Sequence, residues 1–163
     1  MITLLTPAKN QCYHESAWGA VWGTGHKEVS MPFSIQRLPD EPILLAKYTG
    51  RMEPEDLVAL RTQSVQLAGE VERVYRVNDA RQLELSFSDL VMVMGAETAT
   101  RTNPGSLGDP RFNDIIVVAP GSLVRFGTES LSQEQYGSLQ IPLFEDLDEG
   151  LAHARAQIKQ ATP

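Results

Sequence analysis

The sequence is poorest in cysteine. Its single thiol, Cys12, has no second thiol to join, so an internal disulfide is excluded and a reducing compartment fits. Long apolar runs are missing too. Stretches such as Leu90 to Met94 fall far short of the roughly 20 residues that span a bilayer. The start, "MITLLTPAKNQCYHESAW", lacks the basic head and apolar stretch of a secretory signal, and a cytoplasmic location is expected. Positive charge is the minority sign. Fourteen Lys and Arg face 21 Asp and Glu, a net charge of −7. Such a surface repels phosphate backbones and anionic lipid, so neither nucleic acid nor a membrane is an expected partner.

The motifs of common chemistry are also absent. No serine sits in a G-x-S-x-G turn, and there is no G-x-G-x-x-G or Walker loop. "GTGHKE" at 23–28 has neither the spacing nor the preceding strand of a phosphate loop. Cys12, His14 and His26 do not make the three- or four-ligand spacing of a zinc site, and His153 reads as a solvated residue on the last helix. No metal and no cofactor are expected. The acid pairs Glu145–Asp146 and Asp148–Glu149 read as a solvated helix start rather than a catalytic dyad. With no catalytic constellation, the chain is expected not to be an enzyme.

What remains is an ordinary globular composition. Hydrophobic residues make up 42% of 163, enough for one domain with its own core. Residues 1–30 stand apart: they hold both tryptophans, Trp18 and Trp22, without a helical or strand period. They read as an N-terminal extension or arm, and 31–163 as the domain.

From Phe33 the pattern is regular. "FSIQRL" and "ILLAKYTG" flank the turn signal "PDEP" and predict an antiparallel pair. "MEPEDLVALRTQSVQLAG" predicts a helix, with Pro54 and acids in its first turn, Gly69 at its end and a face of Leu57, Leu60, Ser64, Leu67 and Ala68. "VERVYRVNDA" predicts a strand that Asp79 closes. A helix is expected to begin near Ser88. A loop at 103–114 leads to "IIVVA", a strand buried on both faces. A weaker helix, broken near Gly127, a short strand "IPLF" and a closing helix with Asp146 as its cap follow. The order β-β-α-β-α-β-α-β-α implies an α/β domain. Its sheet of four to five strands is mixed and mostly parallel, with the first strand antiparallel at an edge.

This order, with the stretches "EPILLAKYTGRMEPEDLVAL" (41–60), "VYRVNDARQLELSFSDLVMV" (74–93), "IIVVAPGSLVRFG" (115–127) and "IPLFEDLDEGLAHA" (141–154), resembles the SpoIIAA-like members of the STAS superfamily, the sulfate transporter and anti-sigma factor antagonist domains. The resemblance covers about 33–158. It implies a single STAS-like domain, and a non-enzymatic regulatory module that binds a protein partner. Regulatory members carry a phosphorylatable serine in a motif close to D-L-S-x-V-x-x-I-D-S-S-G-L. Setting Asp79 on the first Asp puts Ser88 on that serine. Phe87 then replaces the second Asp, Asp89 the next serine and Leu90 the glycine.

Ser88 thus has two readings. One is a helix N-cap, with Ser86 as a second candidate. The other is a phosphorylation site, next to an Asp89 that would repel the phosphate. Asp79 is either a site residue at a strand end or a turn-forming acid paired with Arg81. The expected partner surface combines the 79–89 segment, the helix after it and the 103–114 loop. A homodimer through a free sheet edge is a further expectation. The alternative function is binding of a small ligand or lipid in an apolar pocket lined by Leu90, Val91, Met94 and Phe126.

Overall fold

The structure is a computed structural model, and it describes residues 31–161. Cys12, His14, His26, Trp18 and Trp22, and with them the extension or arm expected over 1–30, lie outside the described residues. Two strands come first, β1 (Phe33–Arg37) and β2 (Ile43–Gly50), followed by α1 (Pro54–Ala68) and β3 (Val74–Leu83). Next come α2 (Phe87–Ala99), β4 (Phe112–Val117), α3 (Leu123–Leu131), β5 (Leu143–Phe144) and α4 (Leu147–Ala161). A single 3-10 turn at Glu134–Tyr136 separates α3 from β5.

The five strands lie in sequence order, β1-β2-β3-β4-β5. The β1–β2 pair is antiparallel and the other three pairs are parallel. This is the expected mixed sheet, with β1 at an edge. Crossovers of one hand that always advance in one direction stay on one face of a sheet. Accordingly α1, α2 and α3 cover one face, where Ala46, Tyr48, Leu60, Ala80, Ile116 and Val118 form the centre of the core. Leu90 and Met94 of α2 pack on Leu131 of α3 beside it. The other face is covered by α4, whose Leu147, Leu151, Ala154 and Ile158 meet Ile43, Leu45, Tyr75, Val77, Ile115 and Val117. That apolar stripe is the one the sequence predicts.

Local chemistry sets the boundaries. Glu53 starts α1, its backbone N–H donating to Asp56 Oδ2 at 2.8 Å. Asp146 caps α4, its Oδ1 accepting from the N–H groups of Asp148 and Glu149 at 2.8 and 3.2 Å. Gly127 does not break α3. It lies buried inside that helix, where a Cβ would stand 2.4 Å from Leu90 Cδ1, so the glycine allows α2 and α3 to approach. Strand β4 begins at Phe112, three residues before the apolar run, because Asp114 is held by a buried partner. Among the described residues no helix is long and apolar enough to cross a membrane.

Candidate functional site

The quoted serines sit where β3 passes into α2. The cap of α2 is Ser86, not Ser88. Ser86 Oγ accepts from Asp89 N at 3.2 Å, and Asp89 Oδ2 accepts from Ser86 N at 3.0 Å. This reciprocal box satisfies two of the N–H groups that a helix start leaves open. The Ser86 hydroxyl also lies 2.6 Å from Asp89 Oδ2. The three-residue spacing from Ser86 to Asp89 fits a capping box; from Ser88 the same spacing reaches Val91, which has no acceptor. Ser88 is exposed in the first turn, its Oγ 2.9 Å from that of Ser86.

Asp89 is buried and has a cationic partner. Arg51, just past β2, donates from Nη2 to Asp89 Oδ1 at 2.7 Å. The Ser86 side-chain hydrogen bond, then its backbone N–H, then Arg51, hold the Asp89 carboxyl below the usual carboxylate range. The start of α2 is thereby tied to the end of β2.

Asp79 does not join this cluster. It does not end β3, which continues four residues to Leu83. Alternation along the strand turns Asp79 to the α4 face with Tyr75 and Val77, while Arg76, Asn78 and Ala80 face α1 to α3. Arg81 grips Asp79 with two hydrogen bonds of 2.8 Å, and that pair lowers the pKa of Asp79. The ion pair expected from sequence is therefore present, on the opposite side of the sheet from the serines. The 103–114 loop is also separate. It follows the C-terminus of α2, a 13-residue helix and so about 20 Å from Ser86. Parallel crossovers put the loop before a helix and the loop after it at opposite ends of the sheet, with α2 between them, and Leu85 of the one segment and Leu107 of the other both pack against the cluster of Leu90, Met94 and Leu131.

Exposed apolar side chains lie near the cap among the described residues. Phe87 is 64% exposed, Val91 55% and Met92 43%; on α3, Phe126 is 55% exposed. Phe87 and Val91 are four residues apart, as are Ser88 and Met92, so two adjacent rows run along α2. Of the six large apolar side chains that are exposed among the described residues, these are four, and three of them lie on the N-terminal half of α2. The pocket expected from Leu90, Val91, Met94 and Phe126 is only half formed by them. Leu90 and Met94 point inward and line a cavity; Val91 and Phe126 point out.

Beneath the cavity lies a polar network that the sequence reading missed. Arg76 is 2% exposed in the middle of β3. It pairs in register with Asp114 of β4 and donates from Nε and Nη2 to the two carboxylate oxygens at 2.7 and 2.9 Å. Its Nη1 donates to Gly105 O at 2.8 Å and to Ser64 Oγ at 3.2 Å. Burial alone would lower the Arg76 pKa, but the charge and hydrogen bonds of Asp114 turn the net shift upward. Asn78 donates to Asp114 Oδ1 at 2.8 Å and accepts from Tyr48 Oη at 2.7 Å; burial pushes the Tyr48 phenol up. Arg61 of α1 pairs with Glu97 of α2, which also accepts from Leu107 N at 3.3 Å. One signal was available: a charged residue inside "VYRVND", a strand otherwise built to be buried, calls for a buried partner.

On the α4 side His153 is only partly solvated. It is half-buried, its ring 5.1 Å from that of Phe144 and its Nε2 3.0 Å from Gln157 Nε2. No group of three or more His, Cys, Asp or Glu could hold a metal ion among the described residues.

No family model matches the chain, and no curated protein matches it. A solved structure does: an uncharacterized protein from the DUF3478 family with a SpoIIAA-like fold, from Shewanella loihica PV-4. The TM-score is 0.50 at 17% identity, over 75% of this chain and 91% of that one. The chain is thus an α/β domain with a SpoIIAA-like fold, the architecture that the sequence resemblance implies.

Proposed function

We propose that this domain is a non-enzymatic interaction module that docks a protein partner on the N-terminal half of α2. The observation that carries this reading is the exposure of Phe87, Val91 and Met92 beside the Ser86–Asp89 capping box. An apolar patch rimmed by polar groups is the common mark of a protein interface. The rim here is Ser86, Ser88 and the Arg51–Asp89 pair. Net charge of −7 favours a protein over a polyanion or an anionic membrane. A second copy of the chain, a homodimer, is one partner of this kind, and a cytoplasmic setting suits both.

Modification of Ser88 would regulate such docking. A phosphate there would add about −1.5 to −2 charges beside the apolar row. Asp89 would oppose it and Arg51 would attract it. Charge on an apolar docking face weakens the contact, so Ser88→Glu is expected to reduce partner binding.

The test is substitution with a matched control. Val91→Glu and Met92→Glu should keep the melting temperature and abolish recovery of the partner with the chain purified from its own cells. Val58→Glu, on the equally exposed face of α1, should keep it. Partner recovery that survives both α2 changes would sink the proposal.

A further inference from the structure

We propose that the cavity between the sheet and helices α1 to α3 is a binding site for a compact, uncharged molecule with an apolar body and at most one hydroxyl group. The cavity measures about 140 Å³. Well-packed interiors keep few voids larger than a water molecule, and an apolar void of about 150 Å³ stays dry and admits benzene. This one has the same size. Its walls are almost wholly apolar, with Met52, Leu60, Ala80, Leu90, Met94 and Leu131 around it. Water would find few partners there, whereas an arene or a short alcohol would fill the space. The two methionines can adjust to shape. Half-buried side chains, among them Leu85, Val93 and Val124, also line it and give a way in from the surface.

Charge decides the class of ligand. Two cations reach the polar end, Arg61 and Arg76, and each is already matched, by Glu97 and by Asp114. An ionised headgroup would lose its water and meet no unpaired countercharge. Tyr48 spends its proton on Asn78, which leaves its hydroxyl oxygen as an acceptor. One hydroxyl on the ligand would satisfy it. Docking on α2 uses Phe87, Val91 and Met92, none of which lines the cavity, so this inference does not depend on the proposed function.

The experiment is an NMR titration of the methyl groups with benzyl alcohol and with benzoate, two probes of the same shape that differ in charge. Benzyl alcohol should shift the methyls of Leu90, Met94 and Leu131 in a saturable way, and benzoate should bind at least ten-fold more weakly. Ala80→Leu, which grows into the cavity from the sheet, should cut benzyl alcohol affinity at least ten-fold with no fall in melting temperature. Met94→Phe, from the opposite wall, should do the same and stands in if the first variant fails to fold. No saturable shift in the parent chain would overturn the site. Equal binding of benzoate would overturn the uncharged class. Unchanged affinity in a folded cavity-filling variant would place the probe elsewhere.

Discussion

At the scale of single residues, the serine that matters for stability is Ser86. Its hydroxyl serves Asp89 N, and loss of such a cap costs about 1 kcal/mol. Ser86→Ala should therefore lower the free energy of unfolding in urea by that amount, while Ser88→Ala should change it by less than about 0.5 kcal/mol. Equal effects would mean that the cap is shared. The difference also separates the two serines of one short stretch: Ser86 fixes the helix, and Ser88 stays exposed in its first turn. Asp89 adds a pH dependence with a definite sign. Its folded pKa lies below that of an ordinary aspartate, so its contribution is present above the unfolded pKa and is lost as pH falls through the folded value. The stability gap between the parent and Asp89→Asn should be constant from pH 5 to 8 and shrink below about pH 4. Equilibrium unfolding across that range is the check; a gap that widens in acid would reverse the assignment. Asp79, held low by Arg81, has the same sign but sits on the α4 face.

Secondary-structure elements were the most legible level. Every predicted helix and strand is present, in the predicted order. Apolar period and cap chemistry are local properties, and they read well. Errors fell where tertiary contact overrides local preference. Gly127 looked like a helix breaker, yet it is a close-packing point for Leu90. Asp79 looked like a strand end, yet β3 runs on because β2 continues to pair with it through Gln82 and Leu83. Asp114 looked like loop, yet Arg76 holds it in β4. The site shared this limit. Ser86 as a second cap candidate and the Asp79–Arg81 pair could be named from sequence, but not which face of the sheet each would occupy. The buried Arg76–Asp114 pair makes the sharpest prediction for the elements. Asp114→Ala would strand the Arg76 guanidinium in the core and should cost about 3–5 kcal/mol. The double variant Arg76→Met with Asp114→Leu should recover most of that loss, as measured by thermal or urea unfolding. A single variant that costs under 1 kcal/mol would show that Arg76 finds other partners, such as Gly105 O, sufficient.

At the scale of the whole molecule, the sheet divides the protein into two faces with different tasks. α4 closes one face with a continuous apolar seam. The other carries three helices, a cavity and an apolar patch on α2. Sequential strand order produces this asymmetry by placing all three crossovers on one side, so that α2 starts beyond the C-terminal end of the central strand β3, with its cap fixed to Arg51. A rigid, uncovered helix end is what a docking surface requires, since little ordering entropy is left to lose on binding. The most direct measurement is site-specific photo-cross-linking in the chain's own cells, with the reactive residue placed at Phe87 and, as a control, at Val58. A discrete adduct at position 87 and none at position 58 is the expected result. Adduct mass would tell a second copy of the chain from another protein. Equal labelling at the two positions, or none at either, would rule out α2 as the docking surface.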